Sequence, residues 1–335
     1  MKTGILSAVG NTPLVSLGRL FPDSKVDFFA KLEMLNPGGS TKDRTALLML
    51  SKAIERGHID INSTIIESSS GNMAIGLAQT CRYLNLELIV VTDPKINTST
   101  LDILKAYGAQ TEMVGQADAN GSYLEARLNR VQALLKSVPN SYCPNQYENV
   151  LNPAAHAETM KEIVNDCGRA PDYLLAATST CGTIMGCAKY ARMMGFKTRM
   201  VAVDATGSVL FGPSGEKSMI PGYGAGKKSN HLDESFIQQV VHLTDEECIA
   251  GCRRLLHREA ILAGGSSGAV VMAAKKLSLC IPEGSTCVLI FSDSGERYLD
   301  TIFNDDWVSK HFGKKPMVSS RSPIRRKQPV KAYVF

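Results

Sequence analysis

What this chain lacks narrows the field first. No stretch approaches ~18 uninterrupted apolar residues, the length a membrane-crossing helix needs, so no membrane association is expected. Met1-Lys2-Thr3-Gly4 leads into no apolar run, so no signal peptide is expected and the expected location is the cytoplasm. The nine cysteines are an odd number and contain no C-x-x-C. Cys248 and Cys252 share a helical face without histidines at zinc-finger spacing, so buried reduced thiols are expected and no metal site. His58, His156, His231, His242, His257 and His311 are scattered, and none stands with a carboxylate and a nucleophile in triad order. Trp307 is the single tryptophan, expected to pack at a domain edge or dimer contact. Acid is absent from residues 313–335, which hold Lys314, Lys315, Arg321, Arg325, Arg326, Lys327 and Lys331. Removing those seven charges from the formal net charge of +5 leaves residues 1–312 at −2. The body therefore carries no electrostatic sign of a nucleic-acid partner. The tail has three prolines and no apolar period, and is expected to be largely disordered.

What is present describes an ordinary soluble globular protein, 44% hydrophobic and 21% charged, long enough at 335 residues for about two domains. Strands and helices alternate. Residues 26–32, 64–67 and 86–92 read as strands, and 42–56, 73–84, 98–107 and 121–136 as helices. A second set begins with strand 173–177 and continues through helix 184–194, strand 200–204, helices 245–257 and 267–279, and strand 287–291. Leu86 to Thr92 is nearly continuous in apolar residues, as strands buried in parallel sheets are. The fold class is α/β with parallel sheets, which bind ligands at the carboxyl ends of their strands.

The chemistry gathers at four loops. In Asn36-Pro37-Gly38-Gly39-Ser40-Thr41-Lys42-Asp43-Arg44 a tight reversal delivers Lys42 to the start of a helix, with Gly38 and Gly39 free to take positive φ and Ser40 or Thr41 available as a cap. Lys42 is a candidate for an imine to pyridoxal phosphate; a solvated lysine on a first helical turn reads equally well from this segment alone. Ser68-Ser69-Ser70-Gly71-Asn72 holds more donors than a helix cap needs, and suits a carboxylate. Ser179-Thr180-Cys181-Gly182-Thr183 opens a helix in the manner of a phosphate site. Ala263-Gly264-Gly265-Ser266-Ser267-Gly268-Ala269 is either another phosphate loop or the place where a serine faces an uncharged ring nitrogen.

These four loops, with Gly10-Asn11-Thr12-Pro13-Leu14, Pro221-Gly222-Tyr223-Gly224-Ala225-Gly226 and Ser294-Gly295-Glu296-Arg297-Tyr298, occur in the order found in fold-type II pyridoxal phosphate enzymes. The chain resembles their cysteine synthase branch over about residues 5–312. The resemblance implies a tryptophan synthase β-like architecture of two parallel-sheet domains, and a homodimer. Residues 40–145 would form a smaller mobile domain, and 1–39 plus 146–312 the larger one. Lys42 would carry the cofactor and then act as base, Asn72 would meet its ring hydroxyl, residues 179–183 its phosphate, and Ser266 its ring nitrogen. Cys181 stands where cysteine synthases usually have glycine. Ser69, Ser70, Gly71, Asn72 and Gln146 would hold a substrate carboxylate. Glu296 and Arg297 read as a structural pair near the cofactor. The implied reaction class is β-replacement.

Four segments depart from the sulfide-using enzymes: residues 145–149, 203–212 and 262–266, and Asp93-Pro94-Lys95-Ile96. They are similar to the N-(2-amino-2-carboxyethyl)-L-glutamate synthases, which join O-phospho-L-serine to L-glutamate and release phosphate, supplying 2,3-diaminopropionate for staphyloferrin B-type siderophores or peptide antibiotics. Such substrates need cationic partners. Arg127, with Tyr147 as a hydroxyl donor, is the first candidate; Lys95 and Lys217 are weaker ones. A cysteine synthase using O-acetylserine or O-phosphoserine with sulfide, and a non-catalytic cofactor-binding regulator, are the alternatives.

Overall fold

The computed structural model describes residues 3–117, 123–212 and 218–313; Lys217 and the tail from Lys314 onward lie outside the described residues. In chain order the strands are β1 (Leu14–Ser16), β2 (Asp27–Leu32), β3 (Thr64–Ser68), β4 (Glu87–Thr92), β5 (Gln110–Met113), β6 (Ser141–Tyr142), β7 (Tyr173–Ala177), β8 (Arg199–Ala205), β9 (Gln239–Leu243) and β10 (Thr286–Phe291). The α-helices are α1 (Lys42–Glu55), α2 (Asn72–Leu84), α3 (Thr98–Ala106), α4 (Leu124–Ser137), α5 (Leu151–Ala154), α6 (His156–Cys167), α7 (Gly182–Met193), α8 (Asp245–Glu259), α9 (Gly265–Leu277) and α10 (Asp305–Phe312).

Two sheets result. A six-stranded sheet runs β1-β2-β10-β7-β8-β9, and a four-stranded one β5-β4-β3-β6. Every pairing is parallel except β1 with β2. The centre of the large sheet is β10, with Val288 beside Phe29 of β2 and Leu174 of β7. All six residues of β10 are buried, because helices cover both of its faces. On one face Leu289 and Phe291 pack in a cluster with Val270 and Val271 of α9 and Leu255 of α8. On the other, Val288 and Ile290 cluster with Ile184 and Met185 of α7 and Ile163 of α6. Each such side chain contributes about 1.5–3 kcal/mol of transfer free energy. The small sheet repeats the plan in miniature. Ile65 clusters with residues of α1 and α2, and its neighbour Ile66 with Val131 and Leu134 of α4.

The elements expected from the sequence are present, with ends displaced by a few residues at most. Strands β1, β5, β6 and β9 and helices α5, α6 and α10 were not anticipated. β5 is a mostly exposed edge, so its side chains carry no apolar signature. The buried side of α6 holds His156, Thr159 and Glu162 beside Met160 and Ile163. The nine cysteines are free, but Cys143 and Cys167 are only half-buried and Cys280 is exposed. Trp307 lies with its ring centroid 4.6 Å from that of His311, the rings tilted by 35°, and is partly buried against the large-sheet core.

Polar burial explains α6. Arg44 of α1 forks onto two carboxylates: Nε and Nη2 donate to Glu33 at 2.7 and 2.8 Å, and Nη1 and Nη2 to Glu162 of α6 at 2.7 Å each. Lys31, with no exposed surface, sits 3.0 Å from Glu162 and 3.1 Å from Asp166, and donates to the Thr12 carbonyl at 2.6 Å. The network joins β2, α1 and α6 directly behind the lysine turn.

Candidate active site

Among the described residues, every one singled out from the sequence for cofactor or substrate lines one cavity of about 220 Å³, apart from the weaker candidate Lys95. The strands explain the convergence. β3 ends at the Ser69-Ser70-Gly71 loop, β7 at the 178–183 loop and β10 at Ser292 and Asp293, so the carboxyl ends of parallel strands from both sheets supply its walls.

The lysine turn is fixed from outside. Thr41 donates its amide to the Ser292 carbonyl at 2.8 Å, and Ser294 returns a bond to the Gly39 carbonyl at 3.2 Å. Only Gly39 of the two glycines takes a positive φ, 83°, and a Cβ there would lie 2.6 Å from the Arg297 guanidinium. Ser40 accepts the Lys42 amide at 3.2 Å, whereas Thr41 makes no cap and its buried hydroxyl has no partner among the described residues. Burial holds the Lys42 amine below its ordinary pKa, against the opposing pull of Asp293 and Glu33. A fraction of Lys42 is thereby available as a neutral amine.

In the carboxylate loop, Ser69 Oγ accepts from the Gly71 and Ala74 amides at 3.3 and 3.2 Å. Ser70 instead accepts from Arg127 Nη1 at 3.1 Å. Gln146 donates to the Ser68 carbonyl at 3.3 Å, and its own carbonyl accepts from Asn152 Nδ2 at 2.8 Å. The β7–α7 loop enters its helix through Cys181 in the left-handed region, φ 62°, with no side-chain cap. The first amides of α7 are thus left as donors at a helix N-terminus, an arrangement that suits a phosphate. Gly182 is required there, because a Cβ would fall 2.0 Å from Asn152 Oδ1. Ser266, 3% exposed, lines the cavity from the first turn of α9.

Arg127 is not a surface arginine. Its side chain is 11% exposed, and Nη1 lies 3.3 Å from Asp93 Oδ2 as well as bonding Ser70. Its Nε is buried and without a partner among the described residues. Tyr147 lines the same wall; burial raises its phenol pKa and Arg127 opposes that rise. Lys95 does not line the cavity, and its ammonium lies 5.5 Å from the Tyr123 ring centroid.

Several functional groups escaped sequence reasoning. Arg297 and Glu296, expected as a pair, make no ion pair with each other. Arg297 is buried and donates to Asn72 Oδ1 and to the Gly38 carbonyl, while Glu296 is exposed. Asp293, 2% exposed, accepts from Asn72 Nδ2 at 2.8 Å and Tyr298 Oη at 2.6 Å. His156 has its Nε2 3.4 Å from both Thr45 Oγ1 of α1 and Thr183 Oγ1 of α7. Burial, with Lys42 and Arg44 nearby, holds its pKa well below the ordinary value, so it is neutral at physiological pH. Glu67 accepts the Ser68 and Gln146 amides at 3.0 and 3.3 Å, and burial raises it to about 7.

A buried amine, a helix N-terminus cradle and a set of uncharged donors in one cavity suit a phosphorylated aldehyde, and the relatives of this chain use one. Residues 5–293 match the model of the family described as pyridoxal-phosphate dependent enzyme, and the chain belongs to that family. Within it, the architecture is fold-type II and of the cysteine synthase kind. A hydrogen sulfide-producing enzyme from Fusobacterium nucleatum is 32% identical with a TM-score of 0.83, over 89% of this chain and 100% of that one. An O-acetylserine dependent cystathionine beta-synthase from Helicobacter pylori is 32% identical with a TM-score of 0.82, over 90% and 98%. An O-ureido-L-serine synthase is 28% identical with a TM-score of 0.84, over 92% and 99%. The cofactor is therefore pyridoxal phosphate, and the chemistry is of the β-replacement class.

Among the described residues, no helix is long and apolar enough to cross a membrane, and no cluster of histidine, cysteine or carboxylate side chains could hold a metal ion.

Proposed function

We propose that this enzyme joins O-phospho-L-serine to the amine of L-glutamate, forming N-(2-amino-2-carboxyethyl)-L-glutamate and releasing phosphate. The observation that carries the reading is the charge of the cavity wall. Among the described residues it holds, besides the anchoring Lys42, one cation, Arg127, and no carboxylate. A phosphorylated amino acid and a dicarboxylic nucleophile need that balance, whereas sulfide does not. The Nε of Arg127, without a partner among the described residues, offers a further N–H to a carboxylate or phosphate oxygen.

Bound pyridoxal phosphate would supply the electron sink that lets the Cα–H and Cβ–O bonds of the substrate break. The chain's own residues do the rest. Lys42 anchors the cofactor, and its amine, kept partly neutral by burial, then takes the α-proton. Residues 179–183 hold the cofactor phosphate, Asn72 meets the ring oxygen and Ser266 faces the ring nitrogen. An uncharged serine at that nitrogen weakens the sink and favours loss of a β-leaving group over transamination. Ser69, Ser70, Gly71, Asn72 and Gln146 hold the substrate carboxylate, and Arg127 with Tyr147 binds the incoming glutamate. In this reading residues 40–145, which contain the four-stranded sheet, close over the substrate against 1–39 plus 146–312, in a cytoplasmic homodimer that supplies 2,3-diaminopropionate for a siderophore or peptide antibiotic.

The identity to a hydrogen sulfide-producing enzyme favours a second reading, a cysteine synthase. One assay separates them. Holoenzyme is given O-phospho-L-serine with L-glutamate, or with sulfide, and phosphate release and product mass are followed. Turnover with sulfide and none with glutamate overturns the proposal. Arg127→Ala is expected to raise the KM for glutamate or phosphoserine by an order of magnitude or more while the absorbance of lysine-bound cofactor persists.

A further inference from the structure

Asn72 begins α2, is half-buried and lines the cavity. Both ends of its amide are engaged by charged groups. Nδ2 donates to Asp293 Oδ2 at 2.8 Å, and Oδ1 accepts from Arg297 Nη1. Reversing the amide would set oxygen against carboxylate and NH₂ against guanidinium, forfeiting two charge-assisted bonds at once. The carboxamide therefore has one permitted orientation, fixed by chemistry rather than by similar-looking O and N atoms. Its oxygen is turned to the Arg297 guanidinium, and the second hydrogen of Nδ2 is the donor left to offer.

The two partners are themselves immobilised. Asp293 also accepts from Tyr298 Oη at 2.6 Å, and its carbonyl takes the Gly264 amide at 3.0 Å. Arg297 reaches the Gly38 carbonyl of the lysine turn, and its own carbonyl accepts from Ser99 Oγ at 3.3 Å and Asn97 Nδ2 at 3.5 Å. Asp293 and Arg297 are 2% and 7% exposed. Neither is placed to hold the cofactor's phosphate or the substrate's carboxylate in the scheme above.

We propose that Asp293 and Arg297 are positioning residues that set the polarity of the Asn72 amide, so that Asn72 meets the cofactor ring only as a hydrogen-bond donor. A donor there matches the ring oxygen in its ionised form and disfavours the protonated hydroxyl. The proposal rests on the assignment of Asn72 to the cofactor ring, and is independent of which nucleophile the enzyme uses.

The absorption spectrum of the protein loaded with pyridoxal phosphate reads this directly, because protonation of the ring oxygen exchanges the long-wavelength band for a short-wavelength one. Asp293→Ala and Arg297→Met are each expected to move intensity to the short-wavelength band and to weaken cofactor binding on the order of tenfold. Asp293→Asn retains an acceptor oxygen for Asn72 Nδ2 and is expected to keep the parental band ratio. Parental ratios in both Asp293→Ala and Arg297→Met, with Asn72→Ala altered, overturn the positioning role. An Asp293→Asn spectrum as displaced as that of Asp293→Ala overturns it too, since charge alone would then explain the effect. Parental behaviour of Asn72→Ala removes the assignment of Asn72 and the proposal with it. Circular dichroism checks folding, and if Asp293→Ala does not fold, Arg297→Met decides by the same band ratio.

Discussion

Replacing Arg44 with methionine tests how the lysine helix is anchored. Methionine retains much of the reach and none of the charge. Arg44 makes four bonds of 2.7 or 2.8 Å to Glu33 and Glu162, and no surface of Glu33 is exposed. Lys31 still neutralises Glu162 from 3.0 Å, so Glu33 is the carboxylate left without a partner cation. Stranding one buried charge costs about 3–5 kcal/mol. The cost must depend on pH. Burial pushes the Glu162 carboxyl upward, yet its bonds to Arg44 bring it down to about 2, from an ordinary 4.5. A depressed carboxylate contributes stability that is present above 4.5 and lost as pH falls toward 2; here that is about 3 kcal/mol. In the variant Glu162 loses the bonds to Arg44 that hold its carboxyl down, so the deficit is largest at neutral pH and shrinks in acid. Urea unfolding of the cofactor-free protein, at about pH 7.5 and about pH 4, measures both quantities. A deficit below about 1 kcal/mol at neutral pH, or one that grows in acid, refutes the argument.

Further outcomes follow from Gly182 and Glu67, with Gly115 as a control. Gly182→Ala forces Asn152, which is fully buried, off the Gln146 carbonyl and Thr180 hydroxyl; a loss of about 1–3 kcal/mol and weaker cofactor binding are expected by thermal melts and cofactor titration. Gly115→Ala, where a Cβ meets nothing within 4 Å, should match the parent in both. Glu67 stands at about 7 against an ordinary 4.5, so the folded chain holds the extra proton and this group's contribution declines as pH rises from about 4.5 through 7. Glu67→Gln should remove up to about 3 kcal/mol of that decline, and parallel stability-versus-pH curves for parent and variant would contradict it.

Much of this molecule could be read from its residues, and the parts that could not share a physical cause. The central strands β3, β4, β7, β8 and β10 are buried on both faces and so write their positions as apolar runs. β5 and β9 lie at sheet edges, where half-exposed side chains erase that pattern. The glycine-rich loops were legible because binding at a strand end needs particular residue types in order. Arg127 could be proposed as a substrate cation from the sequence but read equally well as a surface helical arginine; what removes it from the surface is the pair Asp93 and Ser70, 34 residues and 57 residues earlier in the chain. Asp293 was passed over because its partners, Asn72 and Tyr298, stand 221 and 5 residues away and nothing local marks them as a set. His156 was read as isolated for the same reason, although it joins α1 to α7.

The placement of Arg127 on α4 has a wider implication. The loops that surround Lys42 come from β3, β7, β10 and the turn before α1, whereas the second cation of the cavity is borne by a helix that contributes none of them. In the proposed reading anchor and selector are thus separate parts. Substitutions along α4 could exchange one acceptor molecule for another while the anchoring loops stay untouched, a division of labour that lets a single scaffold diversify its products.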